Sequence, residues 1–143
     1  MTTTPQSVAD VMTPEVIAVS PGAPVTEAAE LMREYDVGDV LVVEDNRVRG
    51  IVTDRDLAVR VLAAHREPES TTVSEVCSAD LVSALPDQPV SEAVELMREY
   101  AIRRLPVIAA DGQPHGVVTI GDLAVTEDPQ SALADISAAP PNR

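Results

Sequence analysis

The feature that most constrains the fold is an internal repeat. When the sequence is aligned with itself at an offset of 65 residues, 14 of the 36 positions in residues 8–43 are identical, and Glu30–Tyr35 recurs unchanged as Glu95–Tyr100. After a one-residue insertion the offset becomes 66, and Gly50–Val59 matches Gly116–Val125. A unit of about 55 residues is marginal as an independent domain, because its core buries too little surface. The repeat therefore predicts two copies of one supersecondary unit, packed together as a single pseudo-two-fold module.

Each copy opens with an extended stretch followed by an amphipathic helix. The extended stretch is Val16–Val19 in the first copy and Leu81–Ala84 in the second, and apolar residues then recur at helical spacing. Thr26 and Ser91 stand at the start of these helical patterns. They are the expected N-caps, because a hydroxyl oxygen accepts a hydrogen bond from a free helix N–H group.

A β-hairpin and a second helix complete each copy. Turn residues at Glu44–Arg47 and Asp111–Gly112 separate two short β-rich runs, and the second helix begins at Asp54 or Ile120. In the first copy the predicted apolar stripe of this helix consists of Leu57, Ala58, Val61 and Leu62. The order β-α-β-β-α predicts the α+β fold class, with mixed α/β content.

The repeat and its flanking composition predict the organisation of the chain. The two copies span residues 8–62 and 73–126, and residues 63–72, rich in Glu, Pro and Thr, connect them. Residues 127–143 are predicted to form a weakly ordered C-terminal tail, rich in Ala, Pro and Ser, with at most a short helix around Ala132–Ile136.

The same motif begins the last helix of both copies. Thr53 stands three residues before Asp56, and Thr119 stands three residues before Asp122, each pair directly before an apolar helical run. This spacing is an acidic form of the capping box, a structural role that contributes about 1 kcal/mol per helix. A binding role is compatible with it, because helix N–H groups attract phosphate and a carboxylate accepts both hydroxyls of a ribose.

Composition excludes several classes of function. The chain carries 24 acidic and 10 basic residues, a net charge of −14, and such a chain repels a DNA or RNA backbone. Every basic residue is arginine, which excludes lysine Schiff-base chemistry and a Walker phosphate loop. The aromatic residues are two tyrosines, too few to stack bases. Recognition must therefore rely on aliphatic side chains, backbone groups and arginine.

The reactive side chains do not suggest an enzyme or a metal site. His65, Cys77 and His115 are far apart in the sequence, without the spacing of metal ligands or of a nucleophile and its base. A single cysteine forms no internal disulfide, and the sequence has neither a signal-peptide pattern nor an apolar run long enough to cross a bilayer. We therefore expect a non-catalytic protein in the cytoplasm, without membrane association.

Taken together, these motifs resemble a known family. The openings Asp10–Pro14 and Glu75–Ala79, the segment Arg103–Val107 and the twin Gly-aliphatic-Val-Thr-x-x-Asp motifs are similar to those of a tandem cystathionine-β-synthase (CBS) domain pair, also called a Bateman module. The resemblance covers residues 8–126 and is to the stand-alone pair proteins of bacteria. It implies a regulatory module that binds AMP, ADP, ATP or S-adenosylmethionine in clefts between the repeats, needs no other cofactor and forms a homodimer.

The resemblance also implies a set of binding residues. Asp56 and Asp122 would bind ribose, and Thr53 and Thr119 would reach ribose or phosphate. Each cleft would also take residues from the other repeat. The adenine contacts near Asp122 would be Ile17, Val37 and Gly38. Those near Asp56 would be Val82, Ile102 and Arg103. The alternative is that the aliphatic residues are ordinary core and that Gly38 is part of a turn.

The repeats differ in charge directly before their hairpins. The second copy has Arg103 and Arg104 where the first has Gly38 and Asp39. We expect the cleft that receives Arg103 to bind phosphorylated adenosine more tightly, because arginine grips phosphate with two hydrogen bonds, whereas acidic residues repel polyphosphate. The alternative is an ion-paired or solvated surface pair.

Two classes of function follow from the sequence. The first is an adenosine-nucleotide sensor that acts on an unidentified client protein through a conformational change or an altered affinity. The second is a dimeric interaction scaffold that keeps the fold and has no physiological ligand. The intact Thr and Asp residues of both motifs favour the sensor.

Overall fold

The computed structural model describes residues 6–126, so the predicted tail at 127–143 and its short helix lie outside the described residues. The helices and strands in chain order are α1 (Val8–Val11), β1 (Ala18–Val19), α2 (Val25–Tyr35), β2 (Asp39–Glu44), β3 (Arg47–Thr53), α3 (Asp54–Asp56), α4 (Val73–Val76), α5 (Val90–Tyr100), β4 (Arg104–Ile108), β5 (Pro114–Thr119) and α6 (Ile120–Thr126). A π-helical segment, Leu57–Leu62, continues α3, and a 3-10 turn spans Pro68–Ser70. Within the described residues, no helix is long and apolar enough to span a bilayer. The predicted α+β class is confirmed.

The chain forms two compact units that do not coincide with the sequence copies. The middle unit is Ile17–Leu81, and the terminal unit consists, among the described residues, of 6–16 and 82–126. Helix α1 opens the first copy but lies in the terminal unit, and helix α4 opens the second copy but lies in the middle unit. Each unit is therefore completed by the opening segment of the other copy.

The middle unit contains a three-stranded sheet in the order β1-β2-β3. Strand β1 is parallel to β2, whereas β2 and β3 form an antiparallel hairpin in which Asp39 lies opposite Thr53. The hairpin turns at Asp45 and Asn46, whose φ angles of 54° and 60° place both residues in the left-handed region. Asp and Asn adopt that region more readily than other side chains, which explains the predicted turn.

The terminal unit contains the β4-β5 hairpin, in which Arg104 lies opposite Thr119. The strand predicted at residues 81–84 is reduced to one parallel bridge between Ala84 and Val107. In the middle unit the Leu41 N–H donates to the Ile17 carbonyl at 3.0 Å. Pro106 occupies the matching position of β4 and has no N–H to donate, so the second strand cannot pair to the same extent.

Both long helices begin before the predicted caps. Pro24 and Pro89 are the N-cap residues, so Thr26 and Ser91 lie inside the first turn and the predicted caps were wrong. The first N–H of α2, that of Val25, donates to the Thr71 carbonyl at 2.9 Å. A backbone carbonyl from a distant segment therefore satisfies the first free N–H of the helix, ahead of the position where the hydroxyl cap was expected.

Each unit has its own hydrophobic core, built between helices and one face of the hairpin. Val8 of α1 is fully buried in the terminal unit, where it packs with Met97, Leu105 and Leu123. In the middle unit, Val73 of α4 takes the corresponding place and is also fully buried. The exchanged opening segments thus contribute to the cores themselves.

The π-helical segment changes which residues face the core. Val61 is 2% exposed, as predicted, but Leu62 is 66% exposed and Ala58 is also exposed. The Ala63 N–H donates to the Ala58 carbonyl five residues back, which is the π-helical spacing. The predicted stripe was wrong at these two positions, because the wider turn rotates Ala58 away from the face of Leu57 and Val61, and Leu62 is the exposed last residue of the segment.

Helix α4 is anchored by a capping box that pattern analysis did not identify. The Glu75 carboxylate accepts hydrogen bonds from the Thr72 N–H at 2.7 Å and the Thr72 hydroxyl at 2.9 Å, and it also pairs with Arg66. The Thr72 hydrogen bonds, followed by those from Arg66, lower the pKa of Glu75 from its ordinary value. A second box, between Ser7 and Asp10, opens α1.

Candidate functional site

The first motif lies where β3 passes into α3. The Thr53 N–H donates to Asp56 Oδ2 at 2.9 Å, and the Asp56 N–H donates to Thr53 Oγ1 at 3.0 Å. These reciprocal bonds confirm the predicted capping box. They also fix the Asp56 side chain, which is 15% exposed, so that one carboxylate oxygen is used by the cap.

The other oxygen of Asp56 faces an arginine one helical turn further on. Arg60 Nε lies 3.7 Å from Asp56 Oδ1, and Arg60 Nη1 donates to the Val76 carbonyl at 3.3 Å. Arg60 thus connects the motif carboxylate to α4 within the middle unit. Arg60 was not among the predicted site residues, although its spacing from Asp56 is the one at which helical ion pairs form.

The second motif repeats this arrangement in the terminal unit. Asp122 Oδ2 accepts hydrogen bonds from the Thr119 N–H at 2.9 Å and the Thr119 hydroxyl at 3.1 Å. The Thr13 hydroxyl donates to Asp122 Oδ1 at 3.2 Å and lies 3.4 Å from Oδ2. Thr13 is 109 residues from Asp122 in the sequence, so no local pattern could have identified it.

A close backbone contact explains why each motif opens with glycine. A Cβ atom on Gly50 would lie 2.5 Å from the Ser78 carbonyl oxygen, and one on Gly116 would lie closer still to the Thr13 carbonyl oxygen. In both units the exchanged segment crosses the hairpin at this point, where Thr13 bridges Val117 and Ser78 bridges Ile51. Gly116 therefore admits the segment that brings Thr13 to Asp122, and Gly50 admits the segment that contains Ser78.

Among the residues predicted to bind adenine, three lie in the middle unit. The Gly38 carbonyl accepts the Asp54 N–H at 2.9 Å, and a Cβ on Gly38 would lie 3.2 Å from Asp54 Oδ2. Gly38 is thus next to the first motif, the one in its own repeat. Val37 is partly buried, and Ile17 is partly buried against the core of the unit.

The other three lie in the terminal unit, before its hairpin. Val82 and Ile102 are partly buried and pack against the core, whereas Arg103 is exposed. The neighbouring Arg104 is partly buried and lies opposite Thr119 of the second motif. Its Nε is buried without a hydrogen-bond partner among the described residues, which is unusual for a guanidinium.

Neither of the two predicted groups of adenine-binding residues falls within one unit together with its motif. In each unit, the motif lies beside the start of the hairpin of the same repeat. Gly38 is next to the first motif, and Arg104 lies opposite Thr119 of the second. The predicted groups instead combine Val37 and Gly38 with Asp122, or Ile102 and Arg103 with Asp56, and so draw on both units. Those groupings, and the binding roles of all ten residues, stay predictions.

The reactive side chains outside the motifs are dispersed. Cys77 is partly buried against the core of the middle unit, while His65 and His115 are exposed. Across residues 6–126, no group of three or more His, Cys, Asp or Glu side chains is arranged to hold a metal ion.

Comparison with known proteins identifies both repeats. The family model described as CBS domain matches residues 8–63 and again residues 73–126. A CBS domain-containing protein of Bacillus subtilis, YhcV, is 44% identical over 135 residues, which cover 92% of this chain and 95% of that protein.

Two solved structures share the fold. Hypoxic Response Protein I, crystallised with two coordinated zinc ions, superposes with a TM-score of 0.74 at 31% identity and covers 85% of this chain and 99% of its own. The CBS domain pair of protein MJ0100, in complex with 5-methylthioadenosine and S-adenosyl-L-methionine, superposes with a TM-score of 0.67 at 23% identity, over 85% of this chain and 95% of that chain.

Proposed function

This chain belongs to the CBS domain family, and we propose that it is a regulatory module that binds an adenosine-containing ligand through Asp56 and Asp122. The proposed ligands are AMP, ADP, ATP and S-adenosylmethionine. The module is non-catalytic, and it signals by a change of conformation or of affinity for a client protein.

The observation that carries the proposal is that the two oxygen atoms of each motif carboxylate have different partners. Asp56 Oδ2 and Asp122 Oδ2 accept the capping hydrogen bonds, whereas the Oδ1 atoms face the side-chain donors Arg60 and Thr13. Side-chain donors can be displaced without unfolding the helix start. A ribose offers two adjacent hydroxyl donors in their place, and carboxylates accept such pairs in nucleotide sites.

The surroundings of the motifs suit an adenine ring held without aromatic stacking. Four predicted contact residues are aliphatic and only partly buried, so they still have surface to cover: Ile17, Val37, Val82 and Ile102. The S-adenosyl and methylthioadenosine ligands of MJ0100 are supporting analogies, since they show what a fold of this kind can hold in another protein.

A phosphate is the proposed partner of the arginine pair. Arg104 lies across the hairpin from Thr119 with its Nε unpartnered, and Arg103 beside it is exposed. We therefore expect the double variant R103A/R104A to weaken AMP binding more than adenosine binding in calorimetry. Equal affinities of the double variant and the unmodified chain for AMP would contradict this role.

The competing function is an interaction scaffold without a ligand. The specific observation in its favour is that both Asp side chains already take part in helix capping, which is a sufficient structural role. A thermal-shift series with AMP, ADP, ATP, S-adenosylmethionine and NAD separates the two functions. A ligand at 100 times its Kd adds roughly 2.7 kcal/mol of stability if it binds the folded state alone.

Three matched variants make this test specific to the site. Asp10, like Asp56 and Asp122, is the acidic member of a capping box. D10A, D56A and D122A should each lose stability on the order of 1 kcal/mol. D10A should keep the ligand-induced shift, whereas D56A/D122A should lose it. No shift with any ligand would favour the scaffold, and a shift that survives D56A/D122A would place the site elsewhere.

The proposed setting is a homodimer in the cytoplasm that transmits its signal to a client protein, with neither nucleic acid nor membrane as partner. The net charge of −14 supports the exclusion of nucleic-acid polymers. Light scattering with and without AMP tests the dimer, and a mass of one chain at micromolar concentration would contradict it.

A further inference from the structure

The two motif carboxylates differ in the side chain that faces their second oxygen. At Asp56 that side chain is the guanidinium of Arg60, at 3.7 Å, and at Asp122 it is the hydroxyl of Thr13, at 3.2 Å. The repeat does not conserve either donor between the copies. Thr126 stands at the position that matches Arg60, and Ser78, which matches Thr13, bonds to Asp80 instead.

Arg60 is not needed to orient Asp56. The reciprocal bonds with Thr53, at 2.9 and 3.0 Å, already hold the carboxylate at the helix start. The Arg60 side chain is half exposed, and its hydrogen bond to the Val76 carbonyl keeps it beside the motif. It therefore covers the Asp56 oxygen that the cap leaves for a ligand.

We propose that Arg60 is an internal competitor for the ribose hydroxyls at Asp56, so that it sets the affinity of the first-repeat site and makes it sensitive to ionic strength. This inference rests on the proposed binding of adenosine ligands. A ligand must displace the guanidinium before its hydroxyls reach Oδ1. Because a half-exposed ion pair is weak and is screened by salt, the competition is modest and is relieved at high salt.

The test uses the full chain carrying D122A, which leaves one motif carboxylate, and adenosine, which has no phosphate to interact with arginine. R60M keeps the aliphatic part of the side chain and removes the charge. We expect R60M to bind adenosine about two- to fivefold more tightly in calorimetry, the range that an exposed ion pair of up to about 1 kcal/mol allows. R60K, which keeps the charge, should stay close to the D122A parent.

Arg49 provides the matched control. It pairs with Glu44 at the same 3.7 Å in the β2-β3 hairpin and is 49% exposed, but it does not belong to either motif. R49M should leave adenosine affinity unchanged. Raising the salt concentration from about 0.05 M to about 1 M should tighten adenosine binding to the D122A parent and have little effect on R60M, because the Debye length falls to about 3 Å.

The outcomes separate this inference from the proposed function. If the unmodified chain binds neither the nucleotides, nor S-adenosylmethionine, nor adenosine, the proposed function fails and the inference fails with it. If the D122A chain binds adenosine but R60M binds it equally well or more weakly, Arg60 is no competitor and the proposed function stands. If the unmodified chain binds but D122A and D122A/R60M do not, Asp56 forms no ribose site and the inference is likewise overturned.

Discussion

At the two motif glycines, a neighbouring backbone segment passes so close that it leaves no room for a side chain. This contact explains the glycines without a ligand. The Ser78 carbonyl that lies against Gly50 accepts the Ile51 N–H at 2.8 Å, and the Ser78 N–H donates back to Ile51 at 2.9 Å. Thr13 and Val117 exchange the same two bonds beside Gly116. A side chain at either glycine would have to push away a carbonyl that is held by hydrogen bonds.

We therefore predict that G50A and G116A each destabilise the protein by about 1–3 kcal/mol, as overpacking of a filled site does. The measurement is the urea midpoint of unfolding. G22A is the control, because a Cβ at Gly22 would meet nothing within 4 Å. If G50A and G22A had the same midpoint, the close approach would have no energetic weight.

At the scale of secondary-structure elements, the two long helices end in the same strained way. Asp36 after α2 and Ala101 after α5 are in the left-handed conformation, each with φ of 54°. Alanine gains nothing from this conformation, whereas Asp tolerates it better and glycine adopts it freely. Helix α5 therefore ends at an alanine held in a backbone conformation that is unfavourable for alanine.

A101G should stabilise the protein by about 0.5–1 kcal/mol, because relief of the left-handed strain outweighs the greater freedom of glycine in the unfolded chain. Thermal unfolding provides the measurement. The same substitution at Ala29, an exposed position inside α2, should have the opposite sign and cost about 1 kcal/mol. A lower Tm for A101G would rule out strain at this helix end.

Sequence patterns predicted the start of the last helix in each copy, whose stabilising partners are close in sequence, but missed the equally local boxes that open α1 and α4. The boxes of Thr53 with Asp56 and of Thr119 with Asp122 span three residues and were predicted correctly. The start of α2 was not, because its N–H partner, the Thr71 carbonyl, comes from a distant segment. The same holds for the candidate site. The motif carboxylates could be predicted from local spacing, whereas the Thr13 hydroxyl, which is distant in sequence, could not.

At the scale of the whole molecule, the exchange of opening segments couples each copy to the core of the other. Val8 and Val73 occupy matching positions in the repeat and are fully buried, Val8 in the terminal unit and Val73 in the middle unit. The sequence repeat divides the chain into consecutive copies. It could not reveal this exchange, because the partners of Val8 are more than 70 residues away in the sequence.

A substitution in the opening segment of one copy should therefore weaken the hairpin of the other copy. V8A and V73A should each cost about 2 kcal/mol, from two lost methyl groups and the cavity they leave. Amide hydrogen exchange should show V8A weakening protection first in the β4-β5 hairpin, and V73A weakening it first in β2 and β3. Loss of protection in the hairpin of the same copy, in either variant, would contradict the division into these two units.

The exchanged segments also bear on how such a protein can evolve. Each compact unit contains the opening segment of the other copy. A gene fragment that encodes one copy therefore does not encode one complete core. Recombination that moves a single copy separates Val8 or Val73 from the side chains around it. The smallest unit that can be inherited intact is therefore the pair, while the surroundings of the two motif carboxylates can diverge in sequence.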